Sequence, residues 1–271
     1  MDQVAKAHAF KALHERNRLF VIPNPWDGAS AKMLASLGFE ALTTTSAGLA
    51  WALGRPDNGV TREQSLANAQ LIVDSVDLPV AADLENGFGH SPEDVAKTIR
   101  RAAEIGLVGG SIEDATNDPS RPIYDFGLAV ERVAAAAEAA HSLDFPFMFV
   151  ARAENHLHGS NDLDDTLKRL SAYERAGADV LFAPGLPGID AIRTVCAETS
   201  RPINVVQGAG GLPLAELEAA GVRRVSTGAT LARVALTALK AAGEELLGTG
   251  TFRFADGVMT TAAVNGLMTS R

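Results

Sequence analysis

Apolar and polar positions along the chain fall into a recurring unit: a short apolar run, a polar or glycine-rich loop, then a segment with helical spacing. The apolar runs predict strands at Leu19–Pro23, Ala41–Thr45, Pro79–Asp83, Gly110–Glu113, Phe147–Arg152, Val180–Ala183, Ile203–Val206 and Arg224–Ser226. They are near-continuously apolar and bounded by Gly or Pro, the pattern of strands buried on both faces. Between them, "SPEDVAKTIRRAAEIG" offers Ser91 as N-cap, Pro92 at the first helical position, acids in the first turn and Gly106 at the stop. "DLDDTLKRLSAYERAGADVLF" and "PLAELEAAGVRRVSTG" repeat that grammar, each passing through a glycine into a strand. Eight strands alternating with helices over about 250 residues predict a (β/α)8 barrel. The competing arrangement is an open doubly wound sheet, and eight units favour closure. No linker or composition break divides the chain, so one domain is expected over 1–271. The tail 248–271 lies beyond the eighth helix and is expected to dock on the barrel or on a neighbouring subunit.

Composition narrows the class without changing the architecture. The chain has 271 residues, 46% of them hydrophobic, enough for a sizeable core. A net charge of −9 argues against a nucleic-acid binder, which shows a basic face, and gives no support for an anionic membrane surface. A single cysteine, Cys196, excludes an internal disulfide framework. The opening "MDQVAKAHAFKALHERNRLF" has mixed charge and no apolar core of a secretory signal, and no run approaches the roughly 20 apolar residues of a membrane helix. The expectation is a cytoplasmic protein with a small-molecule substrate.

In such a barrel the chemistry sits at the C-terminal ends of the strands. There the third strand delivers Asp83 and Glu85, the fourth Glu113 and Asp114, and the fifth Arg152, Glu154, Asn155 and His156. The first delivers Asn24, Trp26 and Asp27, and the second Thr43 to Ser46, followed by "GRPDNG" with Asp57. Acids crowded at one mouth repel one another unless a cation is present. Oxygen donors suit Mg2+ or Mn2+, and Mg2+ keeps several waters while using one or two carboxylates. Arg152 suits a substrate carboxylate held bidentately. Metal and arginine together describe a site for a 2-oxo acid. His156, in an H-x-H after the fifth strand, is a candidate substrate contact or proton donor, against the plainer reading of a loop histidine. Trp26 is a candidate pocket wall, against plain packing. "QGAGG" reads first as a tight turn.

"ADLENGFG", "SIEDAT" and "VARAEN", together with "TTTSAGLAWALGRPDNGVT" and "FVIPNPWDGASAKMLASLGFEAL", resemble the strand-end motifs of the isocitrate lyase/phosphoenolpyruvate mutase superfamily. The resemblance spans roughly residues 15 to 240. It implies a barrel whose C-terminal helix is swapped onto a neighbouring subunit, usually in a tetramer, and it implies Mg2+ with a bound 2-oxo acid or its enolate. By that resemblance Asp83 is the principal metal carboxylate, Glu85 and Glu113 further metal-shell acids, and Arg152 the substrate arginine. Thr45, Ser46 and Ala47 hold the substrate carboxylate, and Asp57 is an acidic loop residue near the metal shell. Arg152, Glu113 and Asp57 are therefore the catalytic candidates.

One departure matters for the reaction. Lyases of the superfamily carry a cysteine-containing loop after the fourth strand, whereas this chain reads "EDATNDPSRPIYDFG", without Cys, Lys or His. Cys196 falls in a helix before the seventh strand, where a structural role is expected. Carbon–carbon bond cleavage, by an atypical lyase or a decarboxylase, is the leading expectation. Mutase or hydrolase chemistry on a phosphonate, for which Arg121 is the loop's one basic group, and a catalytically weak 2-oxo acid binding protein are the alternatives.

Overall fold

A computed structural model describes residues 1–269. Eight parallel strands alternate with helices: β1 (Phe20–Ile22), β2 (Leu42–Thr43), β3 (Val80–Asp83), β4 (Gly109–Glu113), β5 (Met148–Arg152), β6 (Val180–Phe182), β7 (Ile203–Val206) and β8 (Arg224–Ser226). Their order around the sheet is β1-β8-β7-β6-β5-β4-β3-β2. β1 and β2 meet through Thr43 N–H donating to the Pro23 carbonyl at 3.1 Å and Asn24 Nδ2 donating to the Thr44 carbonyl at 2.9 Å. The sheet is thus a nearly closed (β/α)8 barrel, as the eight apolar runs predict.

The helices are α1 (Gln3–Glu15), α2 (Gly28–Ser36), α3 (Ser46–Ala52), α4 (Arg62–Ser75), α5 (Pro92–Glu104), α6 (Phe126–His141), α7 (Leu163–Arg175), α8 (Ile189–Glu198), α9 (Leu214–Ala219), α10 (Thr230–Gly248) and α11 (Thr261–Thr269). The local signals act as the sequence implies. Ser91 and Asp94 form a reciprocal capping box at α5, with Pro92 in its first turn. Gly106, at φ +94°, takes the left-handed turn into β4 at no steric cost. The second strand is shorter than expected. Thr45 leaves it to cap α3, accepting from Gly48 N–H at 3.2 Å, so a helix stands where the sequence reads as loop.

Two cores result. One lies between strands and helices, and includes Leu42, Ile72, Ile99, Phe149 and Val195. The other fills the barrel, with Phe20, Ile22, Ala81, Met148, Val150 and Val180. α1 plugs the end of the barrel away from the strand C-termini. Its Phe10 enters so far that a Cβ on Gly109 would lie 2.8 Å from Phe10 Cε1 and 2.8 Å from the Met148 carbonyl oxygen. His14 follows one turn later, edge-on to Phe10 and Phe20.

α10 behaves differently from the other long helices. Of its 19 residues only Ala232 is buried, and Val234, Leu236, Leu239, Leu246 and Leu247 stand exposed. Its first turns face Trp26 and Trp51 across a shallow groove. α11 returns beside α2, where Gly266 and Leu267 face Lys32, Ala35 and Ser36. No helix among the described residues is long and apolar enough to cross a membrane.

Candidate active site

The strand C-termini open into a cavity of about 240 Å³ that runs down into the barrel. That is below the roughly 300–1,000 Å³ of pockets for drug-sized ligands, and suits a substrate of few atoms. Thr45, Ser46, Ala47, Asp57, Asp83 and Arg152 all line it.

Arg152, at the end of β5, organises the mouth. Its Nη1 donates to Asp83 Oδ1 at 3.0 Å and its Nε to Glu154 Oε1 at 2.7 Å, while its Nη2 forms an ion pair with Glu113 Oε2 at 3.0 Å. Its guanidinium carbon lies 5.2 Å from the centre of the Phe182 ring. The positions follow from register: Glu113 of β4 pairs with Arg152 of β5, and Arg152 with Phe182 of β6. Asp83 turns its other oxygen to α3, accepting from Ser46 Oγ at 2.7 Å and Ser46 N–H at 3.2 Å.

Behind Arg152, Asp114 fixes the turn. Its Oδ1 accepts from Glu154 N–H at 2.8 Å, and its Oδ2 from Tyr173 Oη at 2.5 Å and Arg169 Nη1 at 3.1 Å. This clamps the backbone that aims Arg152 and Glu154. The strand-end reading finds both acids without giving them a role.

Glu85 differs from the expectation. Alternation along a strand would set it on the same side as Asp83, but β3 ends at Asp83 and Glu85 has φ +49°, left-handed and rare for a non-glycine residue. It borders a second cleft, between the loops that carry Asn58 and His90. Its carboxylate Oε1 is buried and has no hydrogen-bond partner among the described residues. Burial first, and then the charges of Asp83 and Asp57, push its carboxyl up to about 8. Burial likewise raises Glu113 well above the usual carboxylate range, against the pull of Arg152, and raises Glu154. Asp57, on the exposed loop after α3, is raised by partial burial while Asn58 N–H opposes it.

Asp57, Asp83, Glu85, Glu113 and Glu154 thus gather around one guanidinium. Among the described residues no three His, Cys, Asp or Glu converge as a ready-made ion cage. The unpartnered Glu85 oxygen is the acceptor that a hydrated cation such as Mg2+, which keeps waters and takes one or two carboxylates, would satisfy. The donor set is all oxygen and matches a hard cation.

Other candidates lie elsewhere. Trp26 borders the groove under α10, away from the cavity. His156 is buried with both ring nitrogens unpartnered, and its neighbour Leu157 lines the cavity instead. Cys196 is half-buried in α8, its thiol raised to about 11 by burial, unsuited to a thiolate role. The loop after β4 closes on itself, with Thr116 N–H donating to the Pro122 carbonyl at 2.8 Å and a bridge from Ala115 to Ile123. Tyr124 turns to His90, Oη to Nδ1 at 2.7 Å, and none of this loop lines the cavity. Ser111, Asn204, Arg224 and Ser226 do line it. Their signal in the sequence is a polar residue at an inward position of an apolar strand.

Comparison with known proteins matches the profile of phosphoenolpyruvate phosphomutase to residues 10–247. The chain is 31% identical to the 2,3-dimethylmalate lyase of Eubacterium barkeri over 236 residues, 82% of this chain and 78% of that one. A solved structure from Burkholderia cenocepacia J2315, provisionally described as a lyase/mutase, is 51% identical and covers 99% of this chain and 97% of its own, with a TM-score of 0.96. A second from the same organism, provisionally a phosphonomutase, is 35% identical, covers 92% of this chain and 100% of its own, and has a TM-score of 0.84.

Proposed function

The chain belongs to the phosphoenolpyruvate phosphomutase family, and on that premise we propose that it is a Mg2+-dependent enzyme (Mn2+ substituting) that cleaves a carbon–carbon bond in a small 2-oxo acid or its precursor. The observation that carries this reading is Arg152 held among Asp83, Glu113 and Glu154 at the mouth of a small cavity. When bound, the metal would supply Lewis-acid polarisation of the substrate carbonyl and carboxylate. Asp83 would anchor it, with Glu85 and Glu113 as the further acids that would help to hold it.

The chain's own residues do the rest. Arg152 binds and orients the substrate carboxylate through its planar fork. Thr45, Ser46 and Ala47, where α3 begins, offer hydroxyl and backbone N–H donors beside Asp83. Donors fixed before reaction favour the enolate that bond cleavage leaves, because no reorganisation is needed as charge develops. Leu157, Phe182 and Pro184 give the cavity its apolar wall.

Lyase or decarboxylase chemistry is favoured over a phosphonate reaction because the loop after β4 is folded away and brings no basic side chain to the cavity. The test is thermal stabilisation by Mg2+ with pyruvate, oxaloacetate, 2-oxoglutarate or phosphonopyruvate, then turnover of whichever binds. Metal-dependent stabilisation by at least one 2-oxo acid, with release of a carbon fragment from it or from a 2-hydroxy acid precursor, is expected. No stabilisation by any of them would end the reading. Phosphonopyruvate turnover would move it to the mutases, and binding without turnover to a 2-oxo acid binding protein.

α10 belongs to the same proposal. Leu239 and Leu247 are 69% and 92% exposed on a helix that its own barrel leaves uncovered. Packing on a neighbouring subunit, in a dimer or tetramer, would cover them. Sedimentation on dilution checks it, with Leu239→Glu expected to shift the protein to a smaller species.

A further inference from the structure

Arg224 has no part in that chemistry. It lies on β8, two residues below Ser226, in register with Phe20 and Asn204, and it lines the same cavity as Arg152. It is 4% exposed, and its Nε and Nη1 find no acceptor among the described residues. Among the described residues no carboxylate offsets its burial, which draws the guanidinium down to about 9. His14, whose titration Arg224 influences, is no counter-ion: its Nδ1 bonds the Phe10 carbonyl at 2.8 Å, and burial and Arg224 hold it neutral down to about 3.

An arginine stays charged in proteins, and a buried charge without a partner costs several kcal/mol. Other donors surround this one. Asn204 is 2% exposed, its Nδ2 donates to Ser226 Oγ at 3.1 Å, and its Oδ1 is unpartnered. Amide orientation is an assignment. Turning this amide by half a turn keeps the Ser226 contact, with Ser226 as donor, and presents the NH2 group as a free donor.

We propose that Arg224, Asn204 and Ser226 form a binding site for a small compact anion in the depth of the barrel cavity, separate from the carboxylate-rich mouth. The anion is a single carboxylate or halide, planar or spherical, small enough to pass Arg152. It comes either from solution or as the far carboxylate of a dicarboxylic 2-oxo acid whose other end sits at Arg152. The site does not rest on the 2-oxo acid reading, since the unpartnered guanidinium calls for an anion whatever the mouth does.

The test uses the full-length protein and measures melting temperature in sodium chloride, bromide or formate against sodium gluconate of equal ionic strength. A rise of about 3 °C is expected when the small anion is near ten times its dissociation constant. Arg224→Met removes the charge with similar shape and should abolish the rise; Arg224→Lys should keep part of it. Crystals grown in bromide give a readout free of folding effects: an anomalous peak within hydrogen-bonding distance of Arg224. Absence of both the wild-type shift and the peak overturns the site, as does a full shift in Arg224→Met. Chloride competing with oxaloacetate but not with pyruvate identifies the substrate's far carboxylate as the anion. Chloride strengthening pyruvate binding identifies a free ion. A halide shift in a protein that binds no 2-oxo acid would leave this site standing while the proposed function falls.

Discussion

Two arginines occupy the same cavity in opposite circumstances. Arg152, at the mouth, touches three carboxylates, and two more acids stand close by. Arg224, deeper in, touches none among the described residues. The mouth is short of positive charge and the interior is short of negative charge. In the proposed reading each imbalance is met from solution, by a hard cation at one end and an anion at the other. Proteins ordinarily pair buried charges, so an unpaired one inside a cavity says more about ligands than a satisfied network does.

The largest effect that would break the contrast is at Asp83. Asp83→Ala should abolish Mg2+-dependent 2-oxo acid binding by calorimetry, a loss beyond the roughly 10–100-fold that outer-sphere partners cost. Retained binding would take Asp83 out of the metal site. Next comes the asymmetry of the arginines. Arg152→Met strands Asp83, Glu113 and Glu154, and denaturant unfolding without added metal should show a loss of about 3–5 kcal/mol. Arg224→Met, in gluconate buffer, should be neutral or gain about 1–4 kcal/mol. Equal losses for the two would mean that Arg224 has a partner after all.

His14 sharpens the comparison through pH. Its folded-state value near 3 lies below the ordinary 6.5. As pH falls through 6.5 the unfolded chain takes up a proton that the folded chain refuses. Stability is therefore intact above about 6.5 and falls progressively toward pH 3, by up to about 5 kcal/mol. His14→Gln should flatten that part of the stability curve; an unchanged slope would show that other groups carry it. The smallest effect is expected at Cys196, whose Ala variant should keep full activity. Loss of activity with folding intact would give the thiol a role that its place in α8 does not.

The barrel was legible because strands buried on both faces leave an apolar record, and because Ser91, Pro92 and Gly106 each do one local job. Asp83 and Arg152 were legible as charged residues ending apolar strands. The orientation of Glu85 was not, since a left-handed φ at a glutamate leaves no mark in residue order. α3 was hidden because "SAGLAWA" follows three threonines and reads as loop until Thr45 caps it. Arg224 escapes a strand-end reading for a different reason. It opens its strand, and attention to strand C-termini looks past an inward cation at the other end. Asp114 and Glu154 were visible as acids, but only the packing of α7, with Arg169 and Tyr173, shows that one braces the other.

The plug helix also sets an order of assembly. α1 lies well upstream in the chain of most of what it grips. Gln3 bonds the carbonyls of Ala103 and Leu107, Lys6 that of Val76, and Phe10 rests against Gly109 beside Met148. Its berth is incomplete until β5 has emerged. Contacts this distant in sequence slow folding, because the loop must close before they form. α1 is therefore made before its partners yet docks among the last, and deleting it should act on the late steps of folding while the early ones proceed.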